Sequence, residues 1–283
     1  MYQTYSMTIN CKGNLIDLQC PKVMGILNLT PDSFYDGGRY GDTSAILAQV
    51  EKMVQEGVDF IDLGAYSSRP GAAHVPEEME LERIVPVVTL LQKEFPELLL
   101  SVDTFRSKVA AECLENGAAL VNDISAGSMD AQMFTTMAKY GAPYIMMHMR
   151  GTPQNMQQQT NYTDLLVEIC HYFSQKVALA TAAGINDIIL DPGFGFAKTL
   201  NQNYELLRKL ALFQTFNLPI LVGLSRKSMI YKLLETGPQQ ALNGTTALNM
   251  YALQQGAHIL RVHDVREAKE CVQLAQELKQ GNS

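Results

Sequence analysis

Apolar runs of six or seven residues alternate along this chain with longer amphipathic stretches. The runs are KVMGILN (22–28), DFIDLG (59–64), LLLSVDT (98–104), ALVNDI (119–124), PYIMMHM (143–149), DIILDPG (187–193), PILVGLS (219–225) and HILRVHD (258–264). Their length, continuous apolarity and bounding Gly, Pro and Asp residues predict buried β-strands. Between them, TSAILAQVEKMVQEG, FRSKVAAECLENG and AQMFTTMAKYG repeat apolar residues every three or four positions and end in glycine, which predicts helices closed by a left-handed residue. Strand and helix alternating in this way make repeated βα units around a parallel sheet.

Eight such units within 283 residues exceed an ordinary doubly wound sheet and match a closed (β/α)8 TIM barrel, which typically needs about 250 residues. No Pro/Ser-rich linker or composition break divides the chain. The expectation is therefore one domain spanning 1–283, with a short N-terminal extension over 1–20.

Polar residues break the strand pattern only toward the C-terminal ends. They are Asn28, Asp62, Asp103, Asn122, His148, Asp191, Ser225, Arg261 and His263. In a barrel these ends converge on one mouth, where active sites of this architecture lie. Gathering the groups around a shared wet site avoids the cost of about 1–3 kcal/mol for each polar group buried without a partner.

Composition adds limits. With 47% hydrophobic and 18% charged residues the chain can bury a large core, and no apolar run reaches the ~18 residues that span a bilayer. The opening MYQTYSMTINCKGNLIDL lacks the basic start and continuous apolar stretch of a secretory signal. Cys11, Cys20, Cys113, Cys170 and Cys271 form no CxxC and number five, as expected of unpaired thiols in a reducing cytoplasm. A net charge of −7 without any basic block disfavours nucleic-acid and membrane-surface partners, so an anionic ligand would need cations gathered locally.

Candidate chemistry follows from strand parity. In ILRVHD, Ile259, Arg261 and His263 share one face while Leu260 and Val262 point away. Arg261 either fills the core paired with an aspartate or, the preferred reading, joins His263 in clamping an anion, because guanidinium suits bidentate phosphate contacts. Lys227 lies just past the strand of LVGLSRKSM, flanked by Ser225, Arg226 and Ser228. It is a surface charge, a ligand contact or an amine for covalent chemistry.

Asp103, Asn122 and Asp191 come from three strands to one rim. Helix caps, an acid/base pair, hard-cation ligands and recognition of a 2-amino-4-oxo heterocycle all remain open for them. In LDPGFGFAK, Phe194 and Phe196 offer faces to a flat ring or simply pack. Asp191 and Pro192 precede the glycines, so a dinucleotide loop is a poor match. Two long loops, NLTPDSFYDGGRYGD (28–42) and AYSSRPGAAHVPEE (65–78), have the Gly/Pro composition of binding loops; Asp and Asn there suit Mg²⁺, and Arg69 suits a phosphate. MRGTPQNMQQQTNYTD (149–164) is a third long loop whose Gln run is expected at the surface, and no role is assigned to it.

Taken together, VMGILNLTPDSFYDGG, RPGA, SVDT, NDI, MHMRGTPQNMQ, LDPGFGFAK, PILVGLSRKSMI and GAHILRVHDV resemble the dihydropteroate synthase family of folate biosynthesis, over nearly the whole chain from Lys22. The resemblance implies a (β/α)8 barrel, usually a homodimer, that joins 4-aminobenzoate to a 7,8-dihydropterin-6-ylmethyl diphosphate and releases pyrophosphate with Mg²⁺. It places the family among sulfonamide targets. It implies Asn28 for the metal, and Asp103, Asn122, Asp191 and Lys227 for the pterin. It further implies Arg261, His263 and Arg69 for the diphosphate, and Phe196, Lys227, Ser228, Ser68 and Pro70 around the aminobenzoate. Two departures stand out. Tyr66-Ser67-Ser68 replaces the usual Glu-Ser-Thr, which removes an anchor for the second loop, and Ala197 replaces a glycine. A methyltetrahydrofolate-dependent methyltransferase domain and a non-catalytic pterin-binding paralogue are the rival expectations.

Overall fold

The computed structural model describes residues 7–29, 39–66 and 74–280. It opens with a hairpin, β1 (Thr8–Cys11) and β2 (Asn14–Asp17), paired antiparallel from Thr8↔Asp17 to Cys11↔Asn14. Lys12 and Gly13 both take positive φ (53° and 88°), as a two-residue hairpin turn requires.

Eight parallel strands follow. They are β3 (Lys22–Asn28), β4 (Phe60–Gly64), β5 (Leu99–Asp103), β6 (Leu120–Asp123), β7 (Tyr144–Met147), β8 (Ile188–Asp191), β9 (Leu221–Val222) and β10 (Ile259–Val262). Their order is β8-β7-β6-β5-β4-β3-β10-β9, and a parallel bridge between Leu190 and Ile220 brings the two ends together. The Leu190 N–H donates to Pro219 O at 2.9 Å across that seam. The eight-stranded barrel expectation holds. The expected strand at 219–225 shrinks to Leu221–Val222 because the chain leaves the sheet there: Lys227 N–H closes a turn onto Leu224 O (3.1 Å), and Arg226 is left-handed at φ 53°.

Helices pack outside. They are α1 (Arg39–Gln55), α2 (Glu77–Glu94), α3 (Ser107–Glu115), α4 (Met133–Tyr140), α5 (Leu165–Ala182), α6 (Leu200–Arg208), the one-turn α7 (Ser228–Tyr231), α8 (Leu242–Gln254) and α9 (Val265–Gln280). Local signals set their ends. Asp164 accepts the N–H groups of Leu166 and Val167 before α5, Thr199 and Gln202 form a capping box before α6, and Gly141 at φ 60° closes α4. No helix among the described residues is long and apolar enough to cross a membrane.

Strand alternation divides the core. Leu260 and Val262, with Val23, Leu63, Val102 and Leu190, face the helices in one continuous apolar layer. Ile259, Met24, Phe60, Leu120, Ile145, Ile189 and Leu221 fill the lower barrel, and Ile9, Cys11 and Leu18 of the hairpin segment seal its base. Residues 7–18 of the N-terminal extension are therefore a plug for the barrel floor, a role that no pattern in the sequence signals.

Candidate active site

Above that apolar floor, the inward positions turn polar. Asp62, central on β4 and 0% exposed, accepts Arg261 Nε–H at 2.6 Å and Asn122 Nδ2–H at 2.9 Å on the same oxygen, Oδ2. Arg261 Nη2 donates to Asp103 Oδ2 at 2.9 Å. One guanidinium thus joins β10 to β4 and β5, and Asn122 adds β6. A fully buried carboxylate is tolerable only with such partners. Only two of the five N–H groups of a guanidinium are used by these bonds. Arg261 is therefore paired with aspartates, the first of its two expected readings. Burial pushes the Asp103 carboxyl up to about 7 against the pull of Arg261, with the neighbouring Asp62 adding to the rise.

Lys227 and Asp191 face this cluster. A side chain on Gly223 would meet Lys227 Nζ at 3.8 Å and Arg261 Cβ at 3.9 Å, so the two cationic residues flank one spot on the barrel wall. Burial lowers the Lys227 ammonium to about 8, against the attraction of Asp191 and Asp103. Lys227 Nζ donates to Phe194 O and lies 5.0 Å from the centre of the Phe196 ring. Asp191 is 6% exposed; burial raises its pKa, opposed chiefly by Lys227, and its Oδ1 accepts the Gly193 N–H at 2.8 Å. Asp103, Asp191, Lys227 and Arg261 are one charged group.

The other expected positions divide three ways. His263, half-buried beyond β10, has Nδ1 3.0 Å from Ser225 Oγ. Ser228 opens α7, half-buried and next to Lys227, while Phe196 is half-buried at the mouth and Phe194 is fully buried core. Asn28 ends β3, and its Oδ1 and Asp103 Oδ2 each lie 3.8 Å from the point where a Gly64 side chain would stand. Ser68, Arg69 and Pro70, with most of the first long loop, lie outside the described residues.

Several residues without an expected role hold the site in shape. Lys198, 4% exposed, donates to Gly193 O (2.9 Å) and Phe196 O (3.0 Å) and meets His148 Nδ1 at 3.0 Å. Burial depresses Lys198 to about 7 and holds the His148 imidazole well below its usual range, so His148 is the neutral acceptor. Gly193 (φ 73°) is required here, because a Cβ would lie 2.0 Å from His148 O.

The 149–164 segment is not idle surface. Tyr162 Oη donates to Ala197 O at 3.0 Å, Gln202 donates to Thr160 O at 2.9 Å, and the Arg150 guanidinium lies 3.8 Å from the Tyr162 ring centre. Ala197, standing where a glycine is usual, takes φ 49° under these contacts.

Tyr66, at the first of the two departures, is itself held by several contacts. Its Oη accepts Gln154 Nε2–H at 3.1 Å, its ring meets Phe105 edge-on at 5.0 Å, and Arg106 lies 5.4 Å from its centre. Arg106 also pairs with buried Glu80 and donates to Val75 O at 2.7 Å. Tyr66, Phe105, Ile124, Met147, Met149, Met156 and Ala197, with Val75 and Phe196, line an apolar wall. The sequence signal for these residues was an aromatic or methionine in each of four rim segments.

The site combines a charged pocket able to bind a polar heterocycle, surplus cationic donors on β10 and an aromatic slot beside Lys227. Comparison with known proteins gives the same direction. The family described as "Pterin binding enzyme" matches residues 24–263. The dihydropteroate synthase of Escherichia coli (strain K12) is 44% identical over 272 residues, 95% of this chain and 96% of that protein. The structure of Yersinia pestis dihydropteroate synthase with a sulfonamide drug complex aligns at a TM-score of 0.91 and 44% identity, covering 97% of this chain and 100% of that one. The Xanthomonas albilineans enzyme with 4-aminobenzoic acid aligns at 0.90 and 36%, covering 97% and 98%. The chain belongs to the dihydropteroate synthase family of pterin-binding enzymes.

Proposed function

We propose that this protein is a dihydropteroate synthase. It transfers the 7,8-dihydropterin-6-ylmethyl group from its diphosphate to the amine of 4-aminobenzoate and releases pyrophosphate. The observation that carries this reading is the Arg261 guanidinium, paired with Asp62 and Asp103 yet holding spare N–H donors beside Lys227 and Asp191.

Asp103, Asn122, Asp191 and Lys227 hold the pterin edge, and the aromatic slot at Phe196, Lys227 and Ser228, with Ser68 and Pro70, holds 4-aminobenzoate. Arg261, His263 and Arg69 bind the diphosphate. As the C–O bond to the diphosphate breaks, its electron pair leaves with pyrophosphate, stabilised by preorganised cationic donors. The positive charge left on the dihydropterin methylene is favoured by the Asp103 and Asp191 carboxylates. The arylamine nitrogen then forms the new C–N bond with its lone pair and releases one N–H proton to water or the departing pyrophosphate, and no covalent enzyme intermediate is needed.

For Mg²⁺, the carboxamide oxygen of Asn28 is a hard donor at the end of β3, and it and Asp103 Oδ2 each lie 3.8 Å from the point where a Gly64 side chain would stand. Asn28 would hold the ion, which would there supply positive charge to offset the diphosphate.

The whole chain, 1–283, acts as one barrel domain in the cytoplasm. It works as a homodimer, a reading supported by exposed apolar side chains such as Leu212, Leu233, Leu234 and Tyr251 in the last third of the chain. Small molecules are its ligands, without nucleic acid or membrane.

The test mixes purified protein with both substrates and Mg²⁺ and follows pyrophosphate. Release that depends on 4-aminobenzoate is expected. Binding of the pterin without release would instead identify a non-catalytic paralogue, and methyl transfer from a methylated folate would identify the methyltransferase alternative.

A further inference from the structure

The Ser225–His263 contact has a directionality that a distance alone does not express. The His263 backbone N–H donates to Ser225 Oγ at 3.1 Å, and the same oxygen lies 3.0 Å from His263 Nδ1. Ser225 is 5% exposed, and its Oγ meets these two groups. A hydroxyl carries one proton. If Nδ1 held the imidazole proton, Ser225 would accept two N–H groups and its own proton would have no acceptor among the described residues. If Nδ1 is bare, the hydroxyl proton goes to it and both sides of this contact are satisfied.

The contact is also preset. Arg226 and Asp264, the residues adjoining Ser225 and His263, form a two-pronged ion pair, Nε to Oδ2 at 2.9 Å and Nη2 to Oδ1 at 2.6 Å. Arg226 N–H is tied to Thr245 Oγ1 at 3.1 Å. The loops after β9 and β10 are therefore locked together by the protein's own side chains.

We infer that Ser225 is a positioning residue: it holds His263 as the neutral imidazole with the proton on Nε2, the nitrogen across the ring from Ser225, so that Nε2–H donates to the diphosphate. The donor role rests on the function proposed above; the tautomer does not.

The experiment reads both. Long-range ¹H–¹⁵N spectra of histidine-labelled protein, with the His263 signals identified by their loss in His263→Gln, report which ring nitrogen carries the proton. Wild type is expected to show Nε2–H alone, Ser225→Thr to preserve it, and Ser225→Ala to give a mixture. In Ser225→Ala the KM for the dihydropterin diphosphate rises about tenfold, roughly the effect of one lost hydrogen bond to a charged group, while the KM for 4-aminobenzoate is unchanged. A protonated Nδ1 in wild type, or an unaltered ring spectrum in Ser225→Ala, overturns the inference; the wild-type spectrum decides even if the alanine variant fails to fold. Inorganic pyrophosphate added to wild type should move the Nε2 signal. An Nε2–H tautomer that pyrophosphate leaves untouched overturns the donor role and, with no pyrophosphate released in the enzymatic assay, the proposed function as well.

Discussion

The two ends of one barrel have opposite chemistry. At the floor, Met24, Phe60, Leu120, Ile145, Ile189, Leu221 and Ile259 pack under the N-terminal hairpin with no charged side chain in the cluster. At the mouth, positions of the same inward parity are Asp62, Asp103, Asn122 and Arg261, linked by ion pairs and hydrogen bonds, together with Asp191, which feels the charges of Lys227 and Arg261. The floor stabilises the fold by burial alone, and its details are interchangeable if volume is kept. The mouth holds charges that lean on one another, and burial drives its acid Asp103 up and its base Lys227 down, toward about 7 and 8. Such perturbation marks a place organised for a ligand.

The sharpest way to test the contrast is Arg261→Met. It strips the diphosphate clamp and leaves buried Asp62 with the Asn122 hydrogen bond alone among the described residues. Turnover should fall by about two to three orders of magnitude, and unfolding free energy by about 3–5 kcal/mol. Adding Asp62→Asn should restore stability measured by urea unfolding but not activity; recovery of both would contradict the clamp.

Phe60→Ala is the floor's counterpart. A loss of about 3–5 kcal/mol is expected, with both KM values unchanged for the folded enzyme. A selective change in one substrate's KM would show that floor and mouth are coupled.

Next is pH. Asp103 titrates near 7, so kcat/KM for the dihydropterin diphosphate should fall on acidification with a limb centred there, and Asp103→Asn should abolish the limb at low activity. Stability runs the other way. A carboxyl raised in the folded state binds more protons there than when unfolded. Its contribution is complete below its unfolded pKa of about 3.9 and is lost as pH rises through about 7. Lys227 and Lys198, depressed to about 8 and 7, contribute stability above their unfolded pKa that is lost as pH falls through those values. The difference between wild type and Asp103→Asn isolates the acid.

The smallest effect is expected at Lys198→Met. Releasing Gly193 O and Phe196 O loosens the loop that carries Phe196. The KM for 4-aminobenzoate should rise about tenfold, the size of one or two net hydrogen bonds, while kcat moves less. Equal effects on both substrates would make Lys198 a purely global support.

Much of this was legible in one dimension, because strand parity and strand ends are local properties. The eight apolar runs marked the strands of the barrel, and alternation in ILRVHD separated Arg261 from Leu260 and Val262. Illegible were contacts between groups far apart in the chain. Asp62 and Arg261 are 199 positions apart, and Lys198 and His148 are 50 apart; nothing in either neighbourhood names the partner. The hairpin escaped because TINCKGNLID alternates weakly and its turn residue Lys12 is not a usual left-handed residue. The partners of Tyr66, which are Phe105, Arg106 and Gln154, come from other rim segments, and its own neighbourhood in the sequence names none of them.

The order of apolar and polar positions was enough to determine a closed barrel with its polar rim at one end, since period-two alternation dictates which side chains enter the barrel. Only the tertiary structure decided which carboxylate meets which cation, which lysine is buried, and that the first residues form the floor. Those outcomes depend on closing the ring, which brings distant strands within hydrogen-bond reach and excludes the water that would otherwise screen their charges.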